Sequence, residues 1–502
     1  ATGTDITAPS VTLSGTIAPG QSPGILVVDG DFSFADNSTF EIEVGGTTPG
    51  TAVTDHDQLA VTGTVTIGSN VALTTLPFNS FAPVGGESIT IIDNDGMGDA
   101  ITGTFQGLAE GATLTSFLGS PYEAIISYVG GDGNDVVLSV QPLETSVEVV
   151  GGNLVVTDAN GGNTADNLTF SADGTNLTIT DNNGNLIDLI GSLNGGTGDG
   201  TASVTVPLSS FTGTLEINTL AGNDTVGIDS LTLLANQSLK VITGTGNDAV
   251  SFGTGATTLS GSGGIIADAE TVNVNAAIST PGNDLLIAAD NLAITAAINV
   301  GTNFAEILEA TPGTTIGIGT GAGTLSITDA ELDLITAGGI DIGFTSSGTI
   351  SIGGTVSHSG DAFFLVETGQ NIVFENGASW TTTNGNLEFE ANFNGTATGG
   401  FVGIDVNAAL IQAAGAGAIT VLGHGGGSGS GQHGVLVRGG ADIIGGTTDS
   451  LTVTGTGGNA LNENGSAGVL VTGAGSTITS GAGAVVVTGT GGGTGTSSSN
   501  TG

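Results

Sequence analysis

Short apolar runs separated by Gly, Thr, Ser and Asn dominate this chain, and towards its end they repeat. Residues 434–467 read GVLVRGGADIIGGTTDSLTVTGTGGNALNENGSA, and residues 468–501 read GVLVTGAGSTITSGAGAVVVTGTGGGTGTSSSNT. At the resulting offset of 34 (468 against 434) the GVLV tetrapeptides coincide, Ile444 meets Ile478, Val453 meets Val487, and the TGTGG turns coincide. An earlier copy, residues 403–433, places Ile404 and Val406 where Val435 and Val437 fall, and Val421 where Val453 falls. Before that, Ile372, Phe374, Leu387 and Phe389 stand 32 residues ahead of Ile404, Val406, Ile419 and Val421.

Each copy holds three apolar runs, such as Val435 to Val437, Ile443 to Ile444 and Leu451 to Val453. Leu451 and Val453 point one way and Thr452 the other, the alternation of a half-buried strand. One copy cannot bury its inward face alone, whereas stacked copies join those faces into a continuous core. The pattern therefore predicts an all-β fold, a β-solenoid with about one three-strand coil per 31–34 residue repeat. Val435, Leu451 and Val453 should face the core and stack against Val469, Val485 and Val487. Length varies at one place, SGSGQH against NALNENGSA, which predicts a surface loop at one corner. Helix signals are weak, and FAEILEA at 304–310 is the strongest.

Upstream of about residue 340 the period loosens, but short β-branched runs still alternate with Asn-Gly, Asp-Gly and Gly-Asn-Asp turns. A linker is expected at residues 141–145, where a Pro follows the run 136–140. Three segments result: an N-terminal module, 1–142; an irregular Gly/Asn/Asp-rich solenoid, 143–339; and a regular repeat solenoid, 340–502.

Charge narrows the partners. The chain has 2 Lys+Arg against 47 Asp+Glu, a net charge of -45. Nucleic acid is excluded, because a polyanion needs clustered Lys and Arg to release its counterions, and anionic membrane surfaces are disfavoured for the same reason. Disorder requires low hydrophobicity, yet 38% of the residues are hydrophobic. Cysteine is absent, so disulfides and thiolate metal sites are impossible. No stretch reaches the roughly 18 apolar residues of a membrane span. The opening ATGTDITAPS lacks signal-peptide regions, so a mature chain or a piece of one is expected. Two tryptic sites in the whole chain suit a long life outside the cell.

The N-terminal pieces GTIAPGQSPGILVVDGDFSF (15–34), STFEIEV (38–44), DQLAVTGTVTIG (57–68) and YVGGDGNDVVLSV (128–140) occur in this order in passenger modules of bacterial autotransporters, which segment 1–142 resembles. The remainder is similar to filamentous-haemagglutinin-type repeats. The resemblance implies a right-handed parallel β-helix, secretion across the outer membrane and a role in adhesion or surface structure. Nothing in the sequence resembles a C-terminal membrane barrel, so either it lies beyond residue 502 or export takes another route.

GGDGNDVVL (130–138) fits the calcium nonapeptide G-G-x-G-x-D-x-U-x, whose carboxylates and carbonyls suit Ca2+. Related Gly-Asn-Asp turns end at Asp224, Asp248 and Asp284. Candidate Ca2+ ligands are therefore Asp132, Asp135, Asp224, Asp248 and Asp284. The competing reading is a plain tight turn, since the nine residues after Leu138 do not repeat the motif.

A polysaccharide lyase or hydrolase is the rival class, because such enzymes also use β-helices. Arg438 and Lys240 lack a second basic residue nearby, and His424 in GHGG replaces Thr456 of the repeat turn. Asp55, His56 and Asp57 read as a solvated acidic loop, His358 and His433 as single loop residues, and Trp380 as a strand-end packing residue. No nucleophile has His and acid partners at readable spacing, and no catalytic residue is nominated.

The expectation is an extracellular, non-enzymatic structural protein on a bacterial surface, a rod forming a filament, sheath or adhesive fibre. Its partners would be copies of itself, head to tail, or further chain of a longer protein; the final repeat is as apolar as the one before and ends without a visible cap. The alternatives are an adhesin that binds carbohydrate or another surface without polymerising, favoured by a loop cluster of aromatics, and a β-helix polysaccharide lyase or hydrolase, favoured by a groove grouping three or more carboxylates.

Overall fold

The computed structural model describes residues 5–20, 23–95, 98–120, 122–141, 143–159, 164–191, 193, 195–261, 263–358, 360–459, 461, 464–493, 496 and 498–502. Pro142, in the expected linker, lies outside the described residues. The fold is all-β with long parallel-strand sheets. Among the described residues, α-helix is limited to Asp329–Leu332, which a capping box of Thr328 and Glu331 starts. No helix of the described residues is long and apolar enough to cross a membrane. The chain divides into two compact units: Ala1–Thr145 with Gly184–Leu189 and Gly198–Ala202, and the remainder.

In the first unit, strands Ile6–Leu13, Ile25–Phe34, Gln58–Val61 and Ser88–Asn94 run parallel, and Asp135–Val140, Ala124–Gly130 and Thr113–Leu114 continue the sheet antiparallel. Residues 25–44 lie in register on 58–77, pairing Val28 with Val61, Phe34 with Ile67 and Phe40 with Leu73. Polar contacts keep the same 33-residue register: Asp31 Oδ1 accepts from the Thr64 amide at 2.9 Å, and Asp36 Oδ1 from that of Ser69 at 2.8 Å. The core between these layers is aromatic, with Phe34 set edge-on to Phe32 and Phe40 at 4.8 and 5.0 Å.

The second unit is organised by two columns of side chains. Alternation along each strand sends every other residue inward. Parallel in-register pairing then lines up Leu154, Leu215, Leu239, Ile265, Leu285, Ala305, Ile340, Phe364, Leu387, Ile419 and Leu451, all buried, and ends at Val485. The residue two further on in each strand makes a second column, from Val156 to Val453 and Val487. Contacts between successive strands of this sheet span 20 residues at Asp284/Phe304 and 32 at Asn386/Ala418. Turns thus absorb the difference in repeat length while strand register is kept. Late in the chain each repeat gives one strand to each of three sheets, as with Val435–Arg438, Asp442–Gly445 and Leu451–Thr456.

Val435, Leu451 and Val453 are fully buried and pair with Val469, Val485 and Val487, as the periodicity predicts. Two expectations fail. Ile478 pairs with Ile443, not Ile444, because the turn after Val469–Thr472 holds one more residue than its predecessor. The helix expected at 304–310 is instead the strand Phe304–Leu308, whose Ala305 and Ile307 face the core between Leu285–Ala288 and Gly339–Ile342. Its apolar spacing of two fits a strand, and burial on both flanks outweighs the helix propensity of Ala, Glu and Leu.

Candidate functional site

Two Gly-Asn-Asp turns stack directly. Ala221–Gly222 pairs in parallel with Thr245–Gly246, and the Asn247 amide donates to Asn223 Oδ1 at 3.1 Å. Gly246 is required there, since a Cβ would lie 1.6 Å from the Gly222 carbonyl oxygen. Behind the turns runs a column of acids, each capping the amide of the one before. The Asp166 amide donates to Asp224 Oδ1 at 2.9 Å, that of Asp224 to Asp248 Oδ1 at 2.8 Å, and that of Asp248 to Glu270 Oε2 at 3.0 Å. Asp224 and Asp248 are each 1% exposed, and neither Oδ2 has a hydrogen-bond partner.

The structure brings Asp224 and Asp248 together and places the other expected ligands elsewhere. Asp284 is exposed at a different corner, ahead of Leu285–Ala288, and accepts from the Phe304 amide at 3.0 Å. Asp132 and Asp135 sit at the hairpin joining Ala124–Gly130 to Asp135–Val140. Asp132 is exposed, while buried Asp135 accepts from the Asn94 amide at 2.8 Å. Burial, offset in part by that bond, raises the Asp135 carboxyl above its ordinary range. No three acidic or histidine side chains of the described residues converge as a metal cage. Asp166 and Glu270 escape the sequence reading because neither lies in a Gly-Asn-Asp word.

A second acidic group lies on the outward side of the long sheet, where Glu306 pairs with Asp341 and Glu367 with Glu390. Burial, then Glu367 and Glu306, push Asp341 up to about 7, and its Oδ1 has no hydrogen-bond partner. Burial and then Glu388 push Glu390 up to about 7. Next to Glu306 is a groove of about 450 Å³ lined in part by Lys240, Asn283, Asp284 and Asn303. Phe304, 40% exposed, meets Phe363 edge-on at 6.3 Å. In the sequence these acids stand only as outward positions of FAEIL, GIDIG, LVETG and LEFEA.

The Asp55–Asp57 stretch is not a solvated loop, because His56 and Asp57 are buried. His56 Nδ1 and Nε2 each lie 3.1 Å from a carbonyl, those of Gly46 and Thr90. Asp57 accepts from the Gly24 and Glu43 amides at 2.6 and 2.9 Å, and burial pushes it up to about 6. Both residues fasten chain segments distant in sequence. His424 is not in a turn: it ends the strand Ile419–His424 and pairs in register with Thr456, which ends Leu451–Thr456. His433 Nδ1 accepts from the Ala467 amide, and His358 Nε2 lies 3.1 Å from the Ile335 carbonyl. Trp380 is fully buried between Phe364 and Phe389, 5.4 Å from each. Arg438 grips Asp405 through two bonds of 2.9 and 2.8 Å, and Lys240 stands 3.7 Å from Glu216. Set against family models, curated proteins and solved structures, the chain finds no match among any of the three.

Proposed function

We propose that the second unit from Thr214 onward is a right-handed parallel β-helix, preceded by the antiparallel strands Asn167–Asp173, Asn176–Asp181 and Ser203–Pro207, and that the chain serves as an extracellular structural segment, a rod for a filament, sheath or adhesive fibre on a bacterial surface. The observation that carries this reading is the unbroken column from Leu154 to Val485, in which every repeat is bonded to the next through backbone. At about 4.8 Å per strand spacing the column extends roughly 50 Å. Such a stack resists extension because pulling along it opposes many backbone hydrogen bonds together. Only two tryptic sites and the ordered autotransporter-like pieces of segment 1–142 support placement outside the cell, with which the absence of cysteine is compatible.

In this reading the stack continues into the N-terminal end of a second copy or into further chain. Support comes from Val485 and Val487, which occupy core columns yet are 42% and 50% exposed. Negative-stain electron microscopy of the purified chain over a range of concentrations tests self-assembly. Rods that lengthen with concentration support head-to-tail copies; rods of one fixed length remove self-assembly from the reading; particles without a rod overturn it.

One observation favours a second reading. Asp341 and Glu390, both pushed up to about 7 among other carboxylates, lie on the same sheet face as the groove at Glu306, and glycoside hydrolysis uses two carboxyl groups of which one, the general acid, is raised. Incubation with neutral and uronate polysaccharides separates the cases. New reducing ends lost in Asp341→Asn mark a hydrolase, retention without cleavage marks a glycan-binding adhesin, and neither leaves the structural reading alone.

A further inference from the structure

We propose that the stacked turns at Asp224 and Asp248 bind a hard divalent cation, Ca2+, between successive repeats. Both carboxylates are 1% exposed, and each has one oxygen engaged by a backbone amide and one that no protein donor reaches. An oxygen of a buried carboxylate left without a partner is costly, and the remedies are a proton, a basic side chain or a metal. Basic side chains are not available here. The chain owns two, and Lys240 stands beside Glu216 while Arg438 is bound to Asp405.

The surroundings are rich in oxygen. Stacking of Gly222 under Gly246 presses the Gly222 carbonyl against the next turn. The carboxylates lie close to the same glycines, since a Cβ on Gly222 or Gly246 would come within 2.6 or 2.7 Å of Oδ1 of Asp224 or Asp248. A shallow cleft of about 440 Å³ lined by Ala165, Ala221, Gly222, Asn223 and Thr245 opens the Gly-Asn side of the turns to solvent, while the two carboxylates lie behind it. Carboxylate, carbonyl and water oxygens are the ligands Ca2+ takes, in flexible geometry, whereas Mg2+ holds its water more tightly. With two carboxylates rather than three, the ion keeps water ligands, and the affinity expected is about 10⁻⁴–10⁻³ M, that of extracellular calcium modules. The inference stands on the turn geometry and does not need the rod to assemble.

The test is calorimetric titration of the whole chain with CaCl2 at fixed ionic strength, paired with thermal melts in Ca2+, Mg2+ and matched NaCl. Asp248→Asn keeps the shape and the oxygen that caps Asp224, so the fold should survive, which far-UV circular dichroism checks. Asp333→Asn, at an exposed acid elsewhere, controls for diffuse binding to an acidic chain. The expected result is a saturable site that raises the melting temperature with Ca2+ more than with Mg2+ or NaCl, weakened at least about tenfold in Asp248→Asn and unchanged in Asp333→Asn. The proposal is overturned if wild type melts alike in Ca2+ and matched NaCl, or if Asp248→Asn and Asp333→Asn titrate as wild type does.

Discussion

The backbone amide of Asp224 donates to the carboxylate of Asp248 at 2.8 Å, across a repeat of 24 residues. The aspartate closing one turn is thus the acceptor that fixes the turn before it. In the absence of divalent ions, Asp248→Ala strands a buried amide and should cost about 1–3 kcal/mol. Asp248→Asn retains the acceptor and should cost less. Urea melts of both variants decide, and equal losses would show that the hydrogen bond is not what matters.

Acid should stabilise the chain through its buried carboxylates. His56, His424 and His433 pull the opposite way: burial lowers their values, so their contribution is lost as pH falls below the ordinary histidine value. Asp341 has an ordinary value of 3.8 and is pushed up to about 7, so between those limits the folded chain binds a proton that the unfolded chain has released. Its contribution is therefore greatest at and below pH 4 and is lost as pH rises through 7. Glu390, facing Glu388 and Glu367, and buried Asp57 act with the same sign. Melting temperature at pH 5.5 should exceed that at pH 8 at equal ionic strength. Asp341→Asn should raise stability at pH 8 and flatten the difference; an unaltered slope would remove Asp341 from the explanation.

Val453 is fully buried between Val421 and Val487 in one column. Val453→Asp would place a carboxylate there with no basic neighbour, a loss of roughly 4 kcal/mol or more, whereas Val453→Ile should cost about 1–3 kcal/mol through overpacking. Soluble yield and urea midpoint measure both. Near-wild-type behaviour of Val453→Asp would contradict the core assignment.

Trp380 is the chain's single tryptophan, so its fluorescence reports one site. Full burial against Phe364 and Phe389 predicts blue-shifted emission that iodide quenches only after unfolding. Trp380→Ala should cost about 3–5 kcal/mol. Native quenching by iodide, or by added oligosaccharide, would place the ring at a surface instead.

The later repeats were legible because strand register is kept where apolar residues alternate: Ile372, Ile404, Val435 and Val469 pair in succession. Register was lost where a turn gained a residue, as between Ile443 and Ile478, since a turn's length is not set by hydrophobic pattern. The 33-residue stacking of 25–44 on 58–77 went unread because Asp31 meets Thr64 and Asp36 meets Ser69, complementary rather than similar residues. His56 and Asp57 looked solvated because their partners, Thr90 and Gly24, lie more than 30 residues away. The Gly-Asn-Asp words found Asp224 and Asp248 but not Asp166 or Glu270, which join the column through amide capping alone.

The proposed solenoid is tested most directly by a cryo-electron microscopy map of the purified chain that resolves individual strands. The account predicts, for residues 214–490, successive parallel strands about 4.8 Å apart along one axis, a right-handed path, and Leu239, Ile265 and Leu285 superposed in adjacent layers as their pairing requires. A map with antiparallel neighbours in that stretch, a left-handed path, or those three residues in separate layers would contradict it.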